Sequence, residues 1–346
     1  MIIEVTSDAS DSDIAQLCKL HTAHEDVTAW PIRHAARAFI VISGDEALIP
    51  VITSPFIIGR HETGSSGYWL VDRAHEIAPT TVAVGDGTVG DGGFWCAAGP
   101  CALESFDDAV ETGLAVRAQG ASAYRVGVFK PRTSPYNFQG KGRLGLKLLA
   151  ELKDAVGLPI VTEVLDPRDV EAVADAAACL QVGTRNMTNQ ALLKELGGTP
   201  RPVLLKRGAR ASVEEWLRAA EFIAAHGNTD IILCARGVVS FDTSLRFAPD
   251  LGAIASVRNR TSLPVVFDPS HTAGRSDAVA PVALAAAAFR PDGLLIEAHV
   301  RPERTHRPGD GPQAFPPHRL ADLLTACQEV TSLANQLTET ISAGTR

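Results

Sequence analysis

The chain has 346 residues, of which 45% are hydrophobic and 21% are charged, a composition typical of a soluble globular protein. Its length suits one large barrel or two ordinary domains. The formal net charge of -8 argues against a surface built to bind nucleic acid or an anionic membrane. An anionic substrate would therefore require a local cluster of cations.

The sequence contains neither a signal-peptide pattern nor an apolar run of membrane-spanning length. Its six cysteines are scattered and form no Cys-x-x-Cys pair. In a chain of this length, that distribution favours free thiols in a reducing compartment over a disulfide framework. We therefore expect a cytoplasmic protein whose partners include no membrane and no nucleic acid.

The first residues of the chain predict a small α+β module. Residues 2–5, 36–42 and 51–58 are apolar runs typical of strands, and residues 12–23 have apolar side chains at helical spacing. Only residues 43–48 separate the second run from the third. Because six residues form less than two helical turns, a second stable helix is not expected there.

A linker is predicted at residues 60–80, which contain a Gly-Ser-Ser-Gly cluster and Pro79. The expected domains are therefore residues 1–78 and residues 79–346. Residues 85–90 match the dinucleotide-binding pattern G-x-G-x-x-G, but further glycines and an apolar run follow instead of the required helix. This stretch is better interpreted as a β-hairpin.

From residue 94 onwards, short apolar runs alternate with helical patterns. The predicted strands are residues 94–98, 123–128, 159–164, 179–182, 202–205, 231–234, 263–267 and 293–296. The predicted helices are residues 107–119, 144–155, 169–177, 189–196, 213–226, 278–288 and 317–337. Nearly continuous apolar runs are typical of parallel strands covered on both faces. Eight regular units predict a (β/α)8 TIM barrel and favour it over the alternative, a doubly wound open sheet.

In such a barrel, functional side chains collect where the strands end, and every predicted strand here is followed by a polar or ionisable residue. One group offers sulfur, nitrogen and carboxylate ligands that suit manganese, iron, cobalt or zinc: Cys101, His271, Glu297 and Asp310. A second group consists of cations: Arg125, Lys130, Arg185, Lys206 and Arg236. Because desolvated cations are costly without anionic partners, we expect a substrate that carries several negative charges.

The loop after the second barrel strand contains the sequence Lys-Pro-Arg-Thr-Ser at residues 130–134. Pro131 and the following Pro135 keep the backbone out of a helix. A guanidinium, an ammonium and two hydroxyl groups on a rigid loop suit a phosphate, because arginine can bind phosphate oxygens bidentately. The loop is therefore a candidate phosphate site.

These stretches resemble the signature of type I 3-deoxy-D-arabino-heptulosonate 7-phosphate (DAHP) synthases, and specifically the branch with an N-terminal ferredoxin-like domain. The matching motifs cover residues 94–335 and are Gly-Pro-Cys-Ala-x-Glu-Ser, Lys-Pro-Arg-Thr-Ser, Gly-x-Arg-Asn, Leu-Leu-Lys-Arg-Gly, Asp-Pro-Ser-His and Asp-Gly-Pro-Gln. The resemblance implies a TIM barrel preceded by a ferredoxin-like domain, which the six-residue spacing at residues 43–48 predicts to be shortened. It also implies metal-dependent condensation of phosphoenolpyruvate (PEP) with erythrose 4-phosphate, at the start of the shikimate pathway or a specialised branch of it.

The resemblance also implies roles for individual residues. The divalent metal (Mn, Co, Fe or Zn) would be bound by Cys101, His271, Glu297 and Asp310. PEP would be held by Arg125, Lys130, Arg185, Lys206 and Arg236, with Glu163 nearby. The phosphate of erythrose 4-phosphate would be held by Arg132, Thr133 and Ser134. Lys130, Cys101 and His271 are the expected catalytic residues, with Lys130 as proton donor, in a homo-oligomer (dimer or tetramer).

Two departures from the family pattern stand out. Ala235 replaces the glutamate of the usual Cys-Glu-Arg-Gly, so one carboxylate beside Arg236 is missing. The segment between Glu297 and Asp310 is slightly long for the family.

Two alternative functions remain open. The related 3-deoxy-octulosonate 8-phosphate synthases use a five-carbon aldose phosphate but resemble Lys-Ala-Asn-Arg-Ser at the loop. A non-catalytic barrel would be expected to lose a metal ligand.

Overall fold

The computed structural model describes residues 1–34, 36–132, 134–306 and 311–343. An N-terminal sheet of four antiparallel strands comes first, in the spatial order β2-β3-β1-β4. Its elements are β1 (Ile2–Val5), α1 (Asp11–His21), β2 (Thr28–His34), β3 (Arg37–Ser43) and β4 (Ile57–His61). Ser10 and Asp13 form a capping box that begins α1, because each side chain satisfies a backbone N–H of the first turn.

The order of these strands is that of a ferredoxin-like sheet with one helix missing. Between β3 and β4 there is only a three-residue 3-10 turn, Glu46–Leu48, as the short spacing predicted. The third predicted strand, residues 51–58, corresponds to β4, which begins at Ile57 because the chain around Pro55 pairs with no strand. Strand β2 was not predicted because it is an edge strand in which only Ile32 is buried, and it contains a proline at position 31.

The second part of the chain is a closed barrel of eight parallel strands. The strands are β7 (Trp95–Gly99), β8 (Ala123–Arg125), β9 (Ile160–Val164), β10 (Cys179–Val182), β11 (Val203–Lys206), β12 (Ile231–Ala235), β13 (Val265–Phe267) and β14 (Gly293–Glu297). The helices are α2 (Phe106–Ala118), α3 (Arg143–Val156), α4 (Val170–Ala176), α5 (Gln190–Gly197), α6 (Val213–Ala224), α7 (Gly252–Arg260), α8 (Pro269–Ala273), α9 (Val279–Ala287) and α10 (Leu320–Ala343). The predicted TIM barrel is confirmed.

The glycine-rich stretch before the barrel is a hairpin, as predicted. Strands β5 (Val82–Val84) and β6 (Gly87–Val89) pair antiparallel around a turn at residues 85 and 86. Their valines pack with the inward-facing side chains of the barrel, including Trp95 and Leu204. The hairpin therefore extends the interior core, while a larger core lies between the strands and the surrounding helices.

The stretch predicted as a linker packs against the barrel. Tyr68, Trp69, Leu70 and Val71 are buried in the core that also contains the barrel helices. The buried carboxylate of Glu221, on α6, accepts hydrogen bonds from the backbone N–H groups of Leu70 at 3.0 Å and Val71 at 3.1 Å.

Within the described part of the chain, no helix combines the length and apolarity needed to cross a membrane.

Candidate active site

A cavity of about 720 Å³ opens where the barrel strands end. Eight cationic side chains belong to the described part of its wall: Arg125, Lys130, Arg132, Arg185, Lys206, Arg236, Arg246 and Arg275. Glu163, Cys101 and His271 also line it. The chain as a whole is acidic, so this concentration of positive charge marks a binding site for an anionic ligand.

A possible metal site lies beside this cavity. The ligand atoms of Cys101, His271 and Glu297, called here the Cys-His-Glu group, all lie within 4.8 Å of one another. The Cys101 Sγ is 3.3 Å from His271 Nε2, and that nitrogen is 3.4 Å from Glu297 Oε2. Such a mixed sulfur, nitrogen and oxygen set fits a borderline divalent metal. Asp310, the fourth predicted ligand, lies outside the described residues.

Short-range contacts hold the members of this group in place. Cys101 follows β7, and a Cβ at Gly127 would lie 2.6 Å from the Cys101 carbonyl oxygen, so glycine is needed there for the two loops to approach. The backbone N–H of Glu297 donates to Ser270 Oγ at 2.9 Å. Gln313 Nε2 donates to the Glu297 carboxylate at 2.8 Å. The carboxylate is therefore oriented before any ligand binds.

Asp268 orients the histidine of the group, a role that was not predicted from the sequence. Its fully buried carboxylate accepts His271 Nδ1–H at 2.9 Å and also contacts the ammonium of Lys206. This hydrogen bond directs Nε2 towards the Cys101 sulfur and the Glu297 carboxylate, in the manner of carboxylate–histidine pairs at metal sites. The Asp-Pro-Ser-His motif, which contains both residues, was the feature of the sequence from which this role could have been inferred.

Burial and neighbouring charges set the protonation states of His271 and Asp268. Burial lowers the pKa of His271 to about 3, so the imidazole is neutral at pH 7, as a metal ligand requires. Burial alone would raise the pKa of Asp268, but its interactions with His271 and Lys206 hold it well below its usual range. Since His271 is neutral, we attribute the ionised state of Asp268 mainly to Lys206.

Two cations lie next to the Cys101 sulfur. The Lys130 ammonium donates a hydrogen bond to Sγ, and Arg125 Nη1 lies 3.4 Å from the same atom. Arg125 also donates to the Gly99 carbonyl at 3.1 Å, which fixes its guanidinium. Neighbouring cations favour a thiolate, which is the metal-binding form of cysteine. The cationic cavity and the Cys-His-Glu group are thus one continuous site.

Arg236 illustrates how the cavity holds a desolvated cation. Its guanidinium lies over the Phe247 ring at 4.1 Å and donates to Thr184 Oγ1 at 2.8 Å. Burial lowers the Arg236 pKa, but an arginine remains protonated at neutral pH. The preceding Ala235 lies in the core between strands and helices and not in the described cavity wall. Ala235 itself therefore contributes no side chain to that wall.

Glu163 is the acidic side chain at the centre of these cations. Burial raises its pKa, while Lys130, Lys206 and Arg125 act in the opposite direction. Gly183 lies directly against it, because a Cβ at that position would be 1.8 Å from Glu163 Oε1. A glycine is therefore required at the end of β10 for the carboxylate to keep its place.

We expect Gly183→Ala to displace the Glu163 carboxylate and to lower the free energy of unfolding by about 1–3 kcal/mol, the usual cost of overpacking. Chemical denaturation measures this change. Gly198→Ala is the matched control, since its Cβ would meet the nearest atom at 3.4 Å, an ordinary contact. Equal stability of the two variants would contradict the proposed contact.

The loop of residues 130–134 is called here the phosphate loop. Arg132 lines the cavity, and its Nε donates to the Phe138 carbonyl at 3.1 Å. Ser134 is not among the described residues of the cavity wall, and its Oγ accepts the Tyr136 backbone N–H at 3.4 Å. Thr133 lies outside the described residues. The three phosphate-binding assignments therefore stay predictions.

Two further arginines of the cavity were missed because they lie in long loops without a recognisable pattern. Arg246 follows β12 and lies 5.8 Å from the centre of the Phe247 ring. Arg275 follows α8 and forms an ion pair with Asp277 at 2.6 Å. Only the tertiary structure brings these two loops to the cavity.

Comparisons with known proteins explain this arrangement. Residues 75–336 match the model of the DAHP synthetase I family. The chain belongs to this family. It is 36% identical over 339 residues to phospho-2-dehydro-3-deoxyheptonate aldolase of Thermotoga maritima, covering 97% of this chain and 98% of that one. It is also 34% identical over 254 residues to 2-dehydro-3-deoxyphosphooctonate aldolase of Nitratidesulfovibrio vulgaris, covering 68% of this chain and 91% of that one.

Solved structures agree with this membership of the DAHP synthetase I family. The crystal structure of the DAHP synthase of T. maritima matches with a TM-score of 0.72 and 34% identity, covering 97% of both chains. A truncated form of 3-deoxy-D-arabino-heptulosonate 7-phosphate synthase from the same organism matches with a TM-score of 0.69 and 36% identity, covering 78% of this chain and 98% of that one. The first match includes the N-terminal module.

Proposed function

We propose that this protein is a DAHP synthase, which condenses PEP with erythrose 4-phosphate and releases inorganic phosphate. The observation that carries the proposal is the continuous site formed by eight cations and the Cys-His-Glu group. Two phosphorylated substrates require many cations, and an aldehyde electrophile requires polarisation. The nearly full-length match to the aldolase of T. maritima supports the same reaction.

The donor set fits a divalent metal, for which Mn, Co, Fe and Zn are the candidates. Cys101, His271 and Glu297 would hold it, with Asp310 as a proposed fourth ligand. A metal bound there supplies Lewis acidity towards the aldehyde carbonyl. The protein contributes the neutral His271, which Asp268 orients, and the Glu297 carboxylate, which Gln313 orients.

The cations of the cavity bring two anions together. PEP would be held by Arg125, Lys130, Arg185, Lys206 and Arg236, with Glu163 among them. Arg132 would hold the aldose phosphate together with Thr133 and Ser134. Binding both substrates in one cavity makes their reaction effectively unimolecular. C3 of PEP forms a bond to the aldehyde carbon, and water adds at C2. The resulting hemiketal phosphate loses inorganic phosphate and leaves a ketone at C2.

Lys130 is the proposed proton donor to the aldehyde oxygen. Its ammonium lies next to Cys101 Sγ and also lines the cavity. It shares this place between the proposed metal group and the substrate cavity with Arg125, and of the two it is the ammonium that can give up a proton, because an arginine stays protonated. The aldehyde oxygen gains negative charge as the carbon–carbon bond forms, so a donor at this position would stabilise that charge and transfer its proton.

The aldose selectivity is the first test of this function. We expect erythrose 4-phosphate to be preferred over arabinose 5-phosphate, because the loop reads Lys-Pro-Arg-Thr-Ser. Arabinose 5-phosphate is the specific alternative, because some relatives are named 2-dehydro-3-deoxyphosphooctonate aldolase. Phosphate release with PEP and each aldose measures the preference, and equal turnover of the two aldoses would refute it.

Arg132→Ala should raise KM for the aldose phosphate by about tenfold while KM for PEP changes little. The control is Arg319→Ala, which replaces an exposed arginine.

The domain division at residues 78 and 79 and a homo-oligomeric state, dimer or tetramer, are further proposals. The N-terminal module would support assembly or stability more than allosteric control. In place of a second helix it has a 3-10 turn followed by an irregular segment. Without that helix, we do not expect the module to form a binding pocket for tyrosine or phenylalanine.

We therefore expect inhibition by tyrosine or phenylalanine to be weak or absent, and catalysis to survive removal of the module. Activity is titrated with each amino acid in the full-length protein and in shortened proteins that begin at residue 62 or 79. The longer version should be more stable, because it keeps the contacts of Leu70 and Val71 with Glu221. Strong inhibition that disappears on shortening would show that the module is regulatory.

A further inference from the structure

The loop after β14 reaches across three consecutive strand ends of the barrel, which follow the order β14-β7-β8. The backbone N–H of His306, on this loop, donates to Glu104 Oε2 at 2.7 Å, and Glu104 follows β7. The His306 ring stacks on Phe138, which belongs to the loop after β8, with centroids 4.8 Å apart and planes at 30°. One residue thus connects the loops of three strands.

The base of this loop is held firmly on α2. Arg301 forms ion pairs with Asp108, at 2.6 Å, and with Glu111. The Val300 backbone N–H donates to Thr112 Oγ1 at 3.3 Å. These contacts fix the path of the chain that leads to His306. The histidine ring is therefore presented to Phe138 from a restrained backbone.

Phe138 in turn contacts the arginine of the phosphate loop. Its carbonyl oxygen accepts the Nε–H of Arg132 at 3.1 Å, which sets the plane of the guanidinium in the cavity wall. Hydrogen bonds within the loop include those from Lys130 N to Gln139 O and from Gly142 N to Val128 O, both at 2.9 Å, and Arg185 Nη1 lies 3.5 Å from the Pro131 carbonyl oxygen. Most described residues of the loop are half-buried or exposed, and such segments open locally at a lower free-energy cost than a buried core.

We propose that His306 is a positioning residue: its stack on Phe138 orders the loop and holds Arg132 in the orientation that binds the aldose phosphate. The inference rests on the proposed function, because it assigns Arg132 to that substrate. The residue lies in the segment between Glu297 and Asp310, whose extra length for the family the sequence already indicated. An aromatic pair of this geometry shifts an equilibrium by about two- to tenfold.

Three variants test the proposal: His306→Ala, His306→Phe, which keeps a ring, and His318→Ala, an exposed histidine that serves as control. In His306→Ala we expect KM for erythrose 4-phosphate to rise about two- to tenfold, with kcat and KM for PEP within twofold. The His306→Phe and His318→Ala variants should resemble the wild type. In an Arg132→Ala background, His306→Ala should have no further effect, because the coupling passes through that arginine.

Hydrogen exchange of residues 129–142 provides a second readout that needs no turnover. Exchange should become faster in His306→Ala and return to the wild-type rate in His306→Phe. Unchanged exchange, or an equal rise in both KM values, would overturn the proposal, as would an undiminished effect in the Arg132→Ala background. A wild-type protein that makes no product would instead refute the proposed function, while the exchange data would still decide whether His306 orders the loop.

Discussion

Replacing Cys101 by alanine should reduce turnover by at least about 100-fold, because the variant loses the sulfur ligand of the proposed metal site. The fold should persist, since Cys101 is only partly buried and lies in a loop after β7. Phosphate release at saturating concentrations of both substrates measures the loss. Mass-spectrometric metal analysis should show less bound metal than in the wild type.

The control for this prediction is Cys18→Ala, which removes a thiol from α1 in the N-terminal module. That variant should keep its metal and most of its turnover. Full activity of a wild-type protein treated with a chelator would contradict the metal site. Undiminished metal content in Cys101→Ala would show that other residues bind the ion.

Asp268→Ala should lower the free energy of unfolding by about 3–5 kcal/mol, because it leaves the buried Lys206 ammonium without its counter-charge. Both partners of this ion pair are buried, with side-chain exposures of 5% for Lys206 and 0% for Asp268. His271 would also lose the hydrogen bond that orients its ring, so turnover should fall as well. Chemical denaturation and phosphate release measure the two effects, and Asp166→Ala, which breaks an exposed pair with Arg168, should change little.

The effect of Asp268 should depend on pH in a defined direction. Its pKa in the folded protein is lower than the ordinary value of 3.8. Its stabilisation is therefore fully present above the pKa of the unfolded chain, near pH 4, and is lost as the pH falls through the folded pKa. The difference in unfolding free energy between wild type and Asp268→Ala should stay constant from pH 7 to 5 and shrink below pH 4. A difference that grows on acidification would contradict the ionised state assigned to Asp268.

The barrel was predictable because its strands are short, apolar and regularly spaced. All eight predicted strands occur within a few residues of their observed bounds. Helix α7 was missed because its nine residues include Arg258, Asn259 and Arg260 and show a weak apolar face. Strand β2 was missed because an edge strand buries few side chains. Local pattern thus identified elements that bury a regular apolar surface and missed those that do not.

The candidate site was predictable in its chemistry but not in its contacts. Cys101, His271 and Glu297 were proposed as ligands from their residue types and motifs, and the structure brings their donor atoms together. Asp268 and Gln313 orient those ligands, yet neither was assigned because such contacts depend on distances that a sequence does not contain. Arg246 and Arg275 reach the cavity only through tertiary folding. The assignments of Thr133 and Asp310 stay predictions.

The most direct test of the proposed function is to identify the product formed by the purified, metal-supplemented protein from PEP and erythrose 4-phosphate. We expect a seven-carbon 3-deoxy-sugar-acid phosphate, detected by mass spectrometry, to form in equal amount with released inorganic phosphate. Arabinose 5-phosphate, supplied at the same concentration, should give much less of the eight-carbon product. The absence of a seven-carbon product in the presence of each candidate metal, or preferential formation of the eight-carbon product, would contradict the account.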